Sequence, residues 1–191
     1  ATSPIECPAN GSTKIPFLNL EPVILKNVCS KTYLDMFMHI IPSVELWENT
    51  EENDVNYKKI NLTKLNIVTH GKYDNPLLAG VAIGLLAQIY DAGGKDYIEP
   101  AMHFCAVSLK DKTTPTNFHT DNWGEGKLKV LGLLNSDWSN EKDGGGFICN
   151  DVAYKLEPTD FLIFDSNQTH SNDLITSDKG RYAIDFMLTA K

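Results

Sequence analysis

Arginine is almost missing from this chain: Arg181 stands alone against 16 lysines, and acids outnumber bases 25 to 17, for a net charge of −8. Nucleic-acid binders draw most of their non-specific affinity from a concentrated basic surface. Here the lysines are scattered singly or in short pairs such as Lys58-Lys59, so nucleic acid is a disfavoured partner. Long apolar runs are absent too. The longest, Leu77 to Leu86, contains Gly80 and Gly84 and is too short to span a membrane. The four cysteines, Cys7, Cys29, Cys105 and Cys149, include no CxxC pair, which leaves a zinc ribbon or a thioredoxin-like motif without support. Cys105 and Cys149 sit in apolar segments and read as core thiols, while Cys7 and Cys29 would pair only in an oxidising compartment. The opening residues lack the basic and apolar regions of a signal peptide. An intracellular protein with reduced cysteines is the expectation. The sequon Asn167-Gln168-Thr169 points the same way, because it directly precedes His170, whose imidazole a glycan would cover.

What is present reads in two parts. A length of 191 residues suits one domain, with an arm and supporting helices over residues 1–97 and a β core over 98–191. Residues 1–20 read as an irregular arm and Pro22 to Val28 as a short strand. Ser30 reads as the cap of a helix from Lys31 to Ile41, and residues 48–59 as a polar, acidic loop. Asn75 with Pro76 opens a second, mostly apolar helix running to Tyr90, ended by Asp91-Ala92-Gly93-Gly94. After residue 97, short apolar segments alternate with turns: 101–109, 127–135, 145–149, 152–156, 160–165, 171–176 and 181–189. Seven short strands of this kind predict a mainly β sandwich or jelly roll, with the helices covering one sheet face.

The pair His119 and Asp121 carries the chemistry. In an extended segment residues i and i+2 point to one side, so an imidazole and a carboxylate can hold one ion. His170, 51 positions later, follows the strand-like run Phe161 to Asp165 and supplies a third donor. Two imidazoles and one carboxylate on one face of an octahedron leave three positions open, the ligand set of non-haem iron(II) oxygenases. The lone arginine falls 11 residues after His170, at the head of the next apolar strand. Guanidinium grips a carboxylate through two parallel hydrogen bonds that lysine cannot copy. His39, His70 and His103 read as ordinary core or surface histidines.

From Asn117 to Leu188 the chain resembles the 2-oxoglutarate and iron(II)-dependent dioxygenases, and within them the prolyl 4-hydroxylase-like branch. The His119-x-Asp121, His170 and Arg181 order carries the resemblance. So do Val130 to Asn135, the turn Gly145-Gly146-Phe147, the segment Leu156 to Phe164 and the strand beginning Arg181-Tyr182-Ala183-Ile184. The resemblance implies a double-stranded β-helix (a cupin-like jelly roll) and metal ligation by His119, Asp121 and His170. It also implies 2-oxoglutarate held by Arg181, O₂ as oxidant, and ascorbate as an accessory reductant. The strand Met102 to Leu109 lacks the tyrosine that relatives use on the co-substrate, so Ser108 is its expected stand-in. Asn122, Trp123 and Lys127 are expected at the substrate, with Lys129 and Trp138 as weaker candidates and Asn172 as a support for His170. Ser136 to Gly144 is expected as a lid. The implied reaction is hydroxylation of a C–H bond in peptidyl proline or in a free amino acid or other small molecule. Two readings of other classes stand beside it: a non-catalytic jelly-roll binding module, and a zinc hydrolase with Glu125, Asp137 or Asp173 as general base.

Overall fold

The computed structural model describes residues 20–41, 48–52 and 60–191. The arm expected over residues 1–20, with Cys7, lies outside the described residues except for Leu20. The local signals around the helices behave as expected. Strand β1, Val23–Leu25, precedes Ser30, whose hydroxyl accepts from the Tyr33 amide at 3.1 Å and caps helix α1, Lys31–Ile40. The Asn75 side chain accepts from the Leu78 amide at 2.9 Å and caps helix α2, Pro76–Asp91. Pro76 sits in the first turn, where a missing N–H costs nothing. The Tyr33 hydroxyl donates to the Val81 carbonyl at 2.7 Å and ties α1 to α2.

The remaining strands are β2 (Glu48–Glu52), β3 (Ile60–Thr69), β4 (Lys72–Tyr73), β5 (Ile98–Lys110), β6 (Lys127–Leu133), β7 (Phe147–Cys149), β8 (Val152–Tyr154), β9 (Phe161–Asp165), β10 (His170–Asn172) and β11 (Arg181–Ala190). All pair antiparallel. The large sheet runs β1-β9-β6-β11-β5-β3-β2, with β4 on β3, and the small sheet runs β10-β7-β8. This is the expected mainly β jelly roll with flanking helices. Period-two alternation gives the large sheet two faces. Its outer face presents Val107, Val130, Ile163, Ile184 and Phe186 to Leu34 and Phe37 of α1 and to Leu78, Leu85 and Ile89 of α2. The inner face presents Leu131, Leu133, Leu162, Phe164 and Ala183 to Phe147 and Cys149 of the small sheet.

Several expectations need correction. Glu48–Glu52 is a strand rather than a loop. It lies at the sheet edge, where a charged sequence discourages further pairing and no apolar alternation is needed. The segment 60–69 was not expected as a strand, yet it is β3. Only one of its faces is apolar: Leu65 and Ile67 are buried under the helices, while the alternate positions are Lys64 and Asn66. The strand expected over 171–176 ends at Asn172, and Ile175 makes only an isolated bridge to Gly144. The segment expected as a lid is fastened down. It contains the short helix α3, Asn140–Asp143; Trp138 Nε1 donates to the Gly144 carbonyl at 3.1 Å, and Asn140 Nδ2 donates to the Leu156 carbonyl at 2.5 Å.

Candidate metal centre

Three backbone contacts bring the candidate ligands together. His119 and His170 exchange amide-to-carbonyl hydrogen bonds in both directions, at 3.0 and 2.9 Å, and the Asp121 amide donates to the Ser166 carbonyl at 2.9 Å. The turn after β9 is itself braced: Asp165 Oδ1 accepts from the Asn167 amide at 2.8 Å, and Asn167 Nδ2 donates to the Gly124 carbonyl at 3.0 Å. One ligand atom from each of His119, Asp121 and His170 then lies within 4.8 Å of the other two. The two imidazole rings are 4.4 Å apart, centre to centre.

Both imidazoles are oriented for ligation. His119 Nδ1 lies 3.1 Å from the Asn117 carbonyl and His170 Nδ1 lies 2.9 Å from the Gln168 carbonyl. A carbonyl only accepts, so each Nδ1 carries the proton and each Nε2 lone pair is free for a metal. Burial, and then Lys129, push the His170 pKa down to about 3, so the ring stays neutral. Burial by itself would raise the Asp121 carboxyl, but the Lys129 ammonium more than offsets it and holds it at about 2. His170 Nε2 is buried 3.5 Å from Asp121 Oδ2 and has no hydrogen-bond partner among the described residues; His119 Nε2 lies 3.8 Å from Asp121 Oδ1. Buried polar atoms normally have partners; Lys129 Nζ meets Oδ2 at 3.0 Å, and a divalent cation would satisfy His170 Nε2. The donor set fits iron(II) or a similar ion.

Arg181 opens β11, is 3% exposed, and faces inward together with Ala183 and Asp185. Its Nε has no hydrogen-bond partner among the described residues. Burial lowers its pKa to about 10, with Asp185 raising it, so the guanidinium keeps its charge. Two features make room for it and aim it. Gly145 has φ +71°, and a Cβ there would stand 3.0 Å from Arg181 Cδ. Asn135, the residue that closes the segment Val130 to Asn135, donates to the Gly180 carbonyl at 3.1 Å and accepts from the Tyr182 amide at 2.7 Å, gripping the backbone on both sides of Arg181. Ser108 is buried beside Ala183, between the Arg181 and Asp185 rows of the sheet.

The other candidates separate. Trp123 lies 5.4 Å from the Phe104 ring and 6.0 Å from the His70 ring. Asn122 adopts a left-handed φ of 51° and accepts from the Thr120 hydroxyl at 2.9 Å. Lys127 bonds Thr189 Oγ1 at 2.9 Å and lies 2.9 Å from His103 Nε2. Asn172 accepts from Lys110 at 3.0 Å. Trp138 packs in the core between the sheets, away from solvent. Asp137 pairs with Lys179 at 2.9 Å, and Glu125 is exposed. Sequence reasoning undervalued Lys129 and missed Asp185. Lys129 Nζ lies 3.0 Å from Asp121 Oδ2 and 3.7 Å from Asp185 Oδ1. The signal was present: Asp185 is the one acid in β11, an even four residues from Arg181 and therefore on its face.

No family model matches the chain, and no curated protein does. Solved structures do. A Pseudomonas putida prolyl-4-hydroxylase is 12% identical, with 89% of this chain and 92% of that one covered and a TM-score of 0.60. A Trichoplax adhaerens prolyl hydroxylase, solved with a hypoxia inducible factor peptide, is 17% identical over 88% and 83% at 0.59. HygX from Streptomyces hygroscopicus, solved with nickel, 2-oxoglutarate and hygromycin B, is 10% identical over 88% and 82% at 0.63. The class this defines is one of fold: the chain has the double-stranded β-helix of the 2-oxoglutarate and iron(II) oxygenases.

Proposed function

We propose that this protein is an iron(II)- and 2-oxoglutarate-dependent oxygenase that hydroxylates a C–H bond. One observation carries the reading: the three converging donors His119, Asp121 and His170 share the inner face of the jelly roll with a buried guanidinium whose Nε lacks a partner among the described residues. Arg181 and Asp185 are four residues apart, about 13 Å along the strand at about 3.3 Å per residue. A long side chain and a five-carbon diacid together cover such a span.

His119 and His170 present Nε2 because their Nδ1 protons are committed to carbonyls, and Asp121 presents an ionised carboxylate. Arg181 pairs with the distal carboxylate of the co-substrate and so sets the end of the diacid that faces the metal, with Ser108 beside its path. Bound there, iron(II) and 2-oxoglutarate supply the oxidation: the co-substrate loses CO₂ to become succinate, taking one atom of O₂, and the other atom enters the substrate C–H bond. Phe147 and Phe164 flank His170, at 5.8 and 4.9 Å between ring centres, and keep water from that side of the site. Trp123, with Phe104, walls the side where substrate enters.

Peptidyl proline is the favoured substrate, supported by the sequence resemblance and by the prolyl hydroxylases among the structural neighbours. A small molecule is the second reading, supported by HygX. The test is O₂-dependent succinate release from 2-oxoglutarate, screened against proline-containing peptides and small metabolites. The visible charge-transfer band of the anaerobic iron(II)–2-oxoglutarate complex should form in the wild type and be lost in Arg181→Ala. Absence of both band and succinate overturns the oxygenase reading. A zinc hydrolase would turn over without 2-oxoglutarate.

A further inference from the structure

We propose that Lys129, anchored by Asp185, is a positioning residue that ion-pairs with Asp121 at Oδ2 and holds it as a one-oxygen metal ligand of reduced charge. The inference rests on the metal reading above and adds a pair of residues to it. Lys129 lies 3.0 Å from Asp121 Oδ2 and 3.7 Å from Asp185 Oδ1, and the side chains of Lys129 and Asp185 are both only 14% exposed. The register explains the meeting. Asp185 faces Leu131 across β11 and β6, and Met187 faces Lys129, so Lys129 and Asp185 lie diagonally on one inward face. Diagonal neighbours are within reach of long side chains. The ammonium thus meets both carboxylates, as an ion pair with each.

Three buried charges beside a metal position are costly to build, and their sum decides what they do. Lys129 and Asp185 cancel. With the ammonium at Oδ2, that oxygen is engaged and Oδ1 remains for the ion, which keeps coordination sites open for a chelating co-substrate. The ammonium also repels a divalent cation and attracts the dianionic 2-oxoglutarate. Asp185 tempers both effects.

The pair therefore trades metal affinity against co-substrate affinity, and opposite-sign changes test it. Cobalt(II) serves as an anaerobic probe for the full-length chain, titrated by calorimetry and by its visible ligand-field bands. Lys129→Met should bind cobalt(II) about 10-fold tighter, a change of the size that groups behind metal ligands produce. Its ligand-field bands should shift as Asp121 becomes free to bind through both oxygens. Its affinity for 2-oxoglutarate, measured on the cobalt-loaded protein, should fall. Asp185→Asn should weaken cobalt(II), the double variant should return toward the wild type, and Lys129→Arg should retain the wild-type spectrum. A merely structural lysine would lower both affinities together with thermal stability and leave the bands of the remaining folded protein in place; that result overturns the proposal. Unchanged cobalt affinity and spectrum in Lys129→Met overturn it as well, while leaving the metal site intact. If the wild type itself fails to bind cobalt(II), or Asp121→Ala binds it equally well, the metal reading falls and takes this inference with it.

Discussion

The two faces of the large sheet are built from the same strands and do opposite things. On β6, Leu128 and Val130 point outward into the helix-covered core, while Lys129 and Leu131 point inward. On β11, Ile184 and Phe186 point outward, while Arg181 and Asp185 point inward. The outer face is an apolar seam between sheet and helices that stabilises the fold through area removed from water. The inner face gives up part of that stabilisation to keep charge and unpaired polar atoms in a dry space. Functional sites characteristically break local packing rules that the rest of the molecule obeys.

Removing an inner candidate ligand has the largest expected effect. His170→Ala should abolish measurable cobalt(II) binding, beyond the roughly 10–100-fold that loss of a supporting contact costs, with little change in the thermal midpoint; unchanged binding would remove His170 from the site. On the outer face, Phe186→Ala should cost about 3–5 kcal/mol in denaturant unfolding, because that ring is fully buried. A loss under about 1 kcal/mol would mean the seam is not the stabilising core. Gly145→Ala forces a Cβ to 3.0 Å from Arg181 Cδ at a φ of +71°. It should weaken 2-oxoglutarate binding to the metal-loaded protein by more than it weakens metal binding, as read by titration.

Smaller effects sharpen the same contrast. Replacing Lys129 and Asp185 together by Met and Leu should leave the melting temperature equal or higher, since buried ion pairs exchanged for apolar groups are often neutral or stabilising. A large destabilisation would give the pair a structural role instead. Away from the site, Asp143 is held below the ordinary carboxylate range, first by the Ser139 amide at 2.9 Å. A carboxyl depressed in the folded state adds stability that is present above its unfolded pKa of about 3.9 and disappears as pH falls through the folded value. Asp143→Asn should therefore lose about 1 kcal/mol at neutral pH and flatten the acid limb of a stability–pH curve, with no difference from wild type at the acid end.

How much could be read in advance differs by element, for physical reasons. The caps Ser30 and Asn75 were legible because a cap is a local arrangement of three or four residues. The strands of the core were legible where both faces are apolar, as in Phe161–Asp165, all five of whose residues are buried. β3 was not, because its inward positions, Lys64 and Asn66, belong to the charged face and disguise the strand as a polar segment. β2 gave no signal because its sequence, Glu-Asn-Thr-Glu-Glu, has no apolar residue to alternate. The lid reading failed at Trp138 and Asn140, whose partners Gly144 and Leu156 are set by packing rather than by composition.

The chain alone determined the identities of the candidate ligands and of the candidate co-substrate anchor, Arg181. An alternating His-x-Asp, a distant histidine after an apolar strand and a solitary arginine are one-dimensional features, legible from spacing and residue chemistry. That Lys129 and Asp185 lie beside Asp121 is a matter of strand pairing. Which charges meet depends on the register between β6 and β11, and a register exists only once two strands have paired.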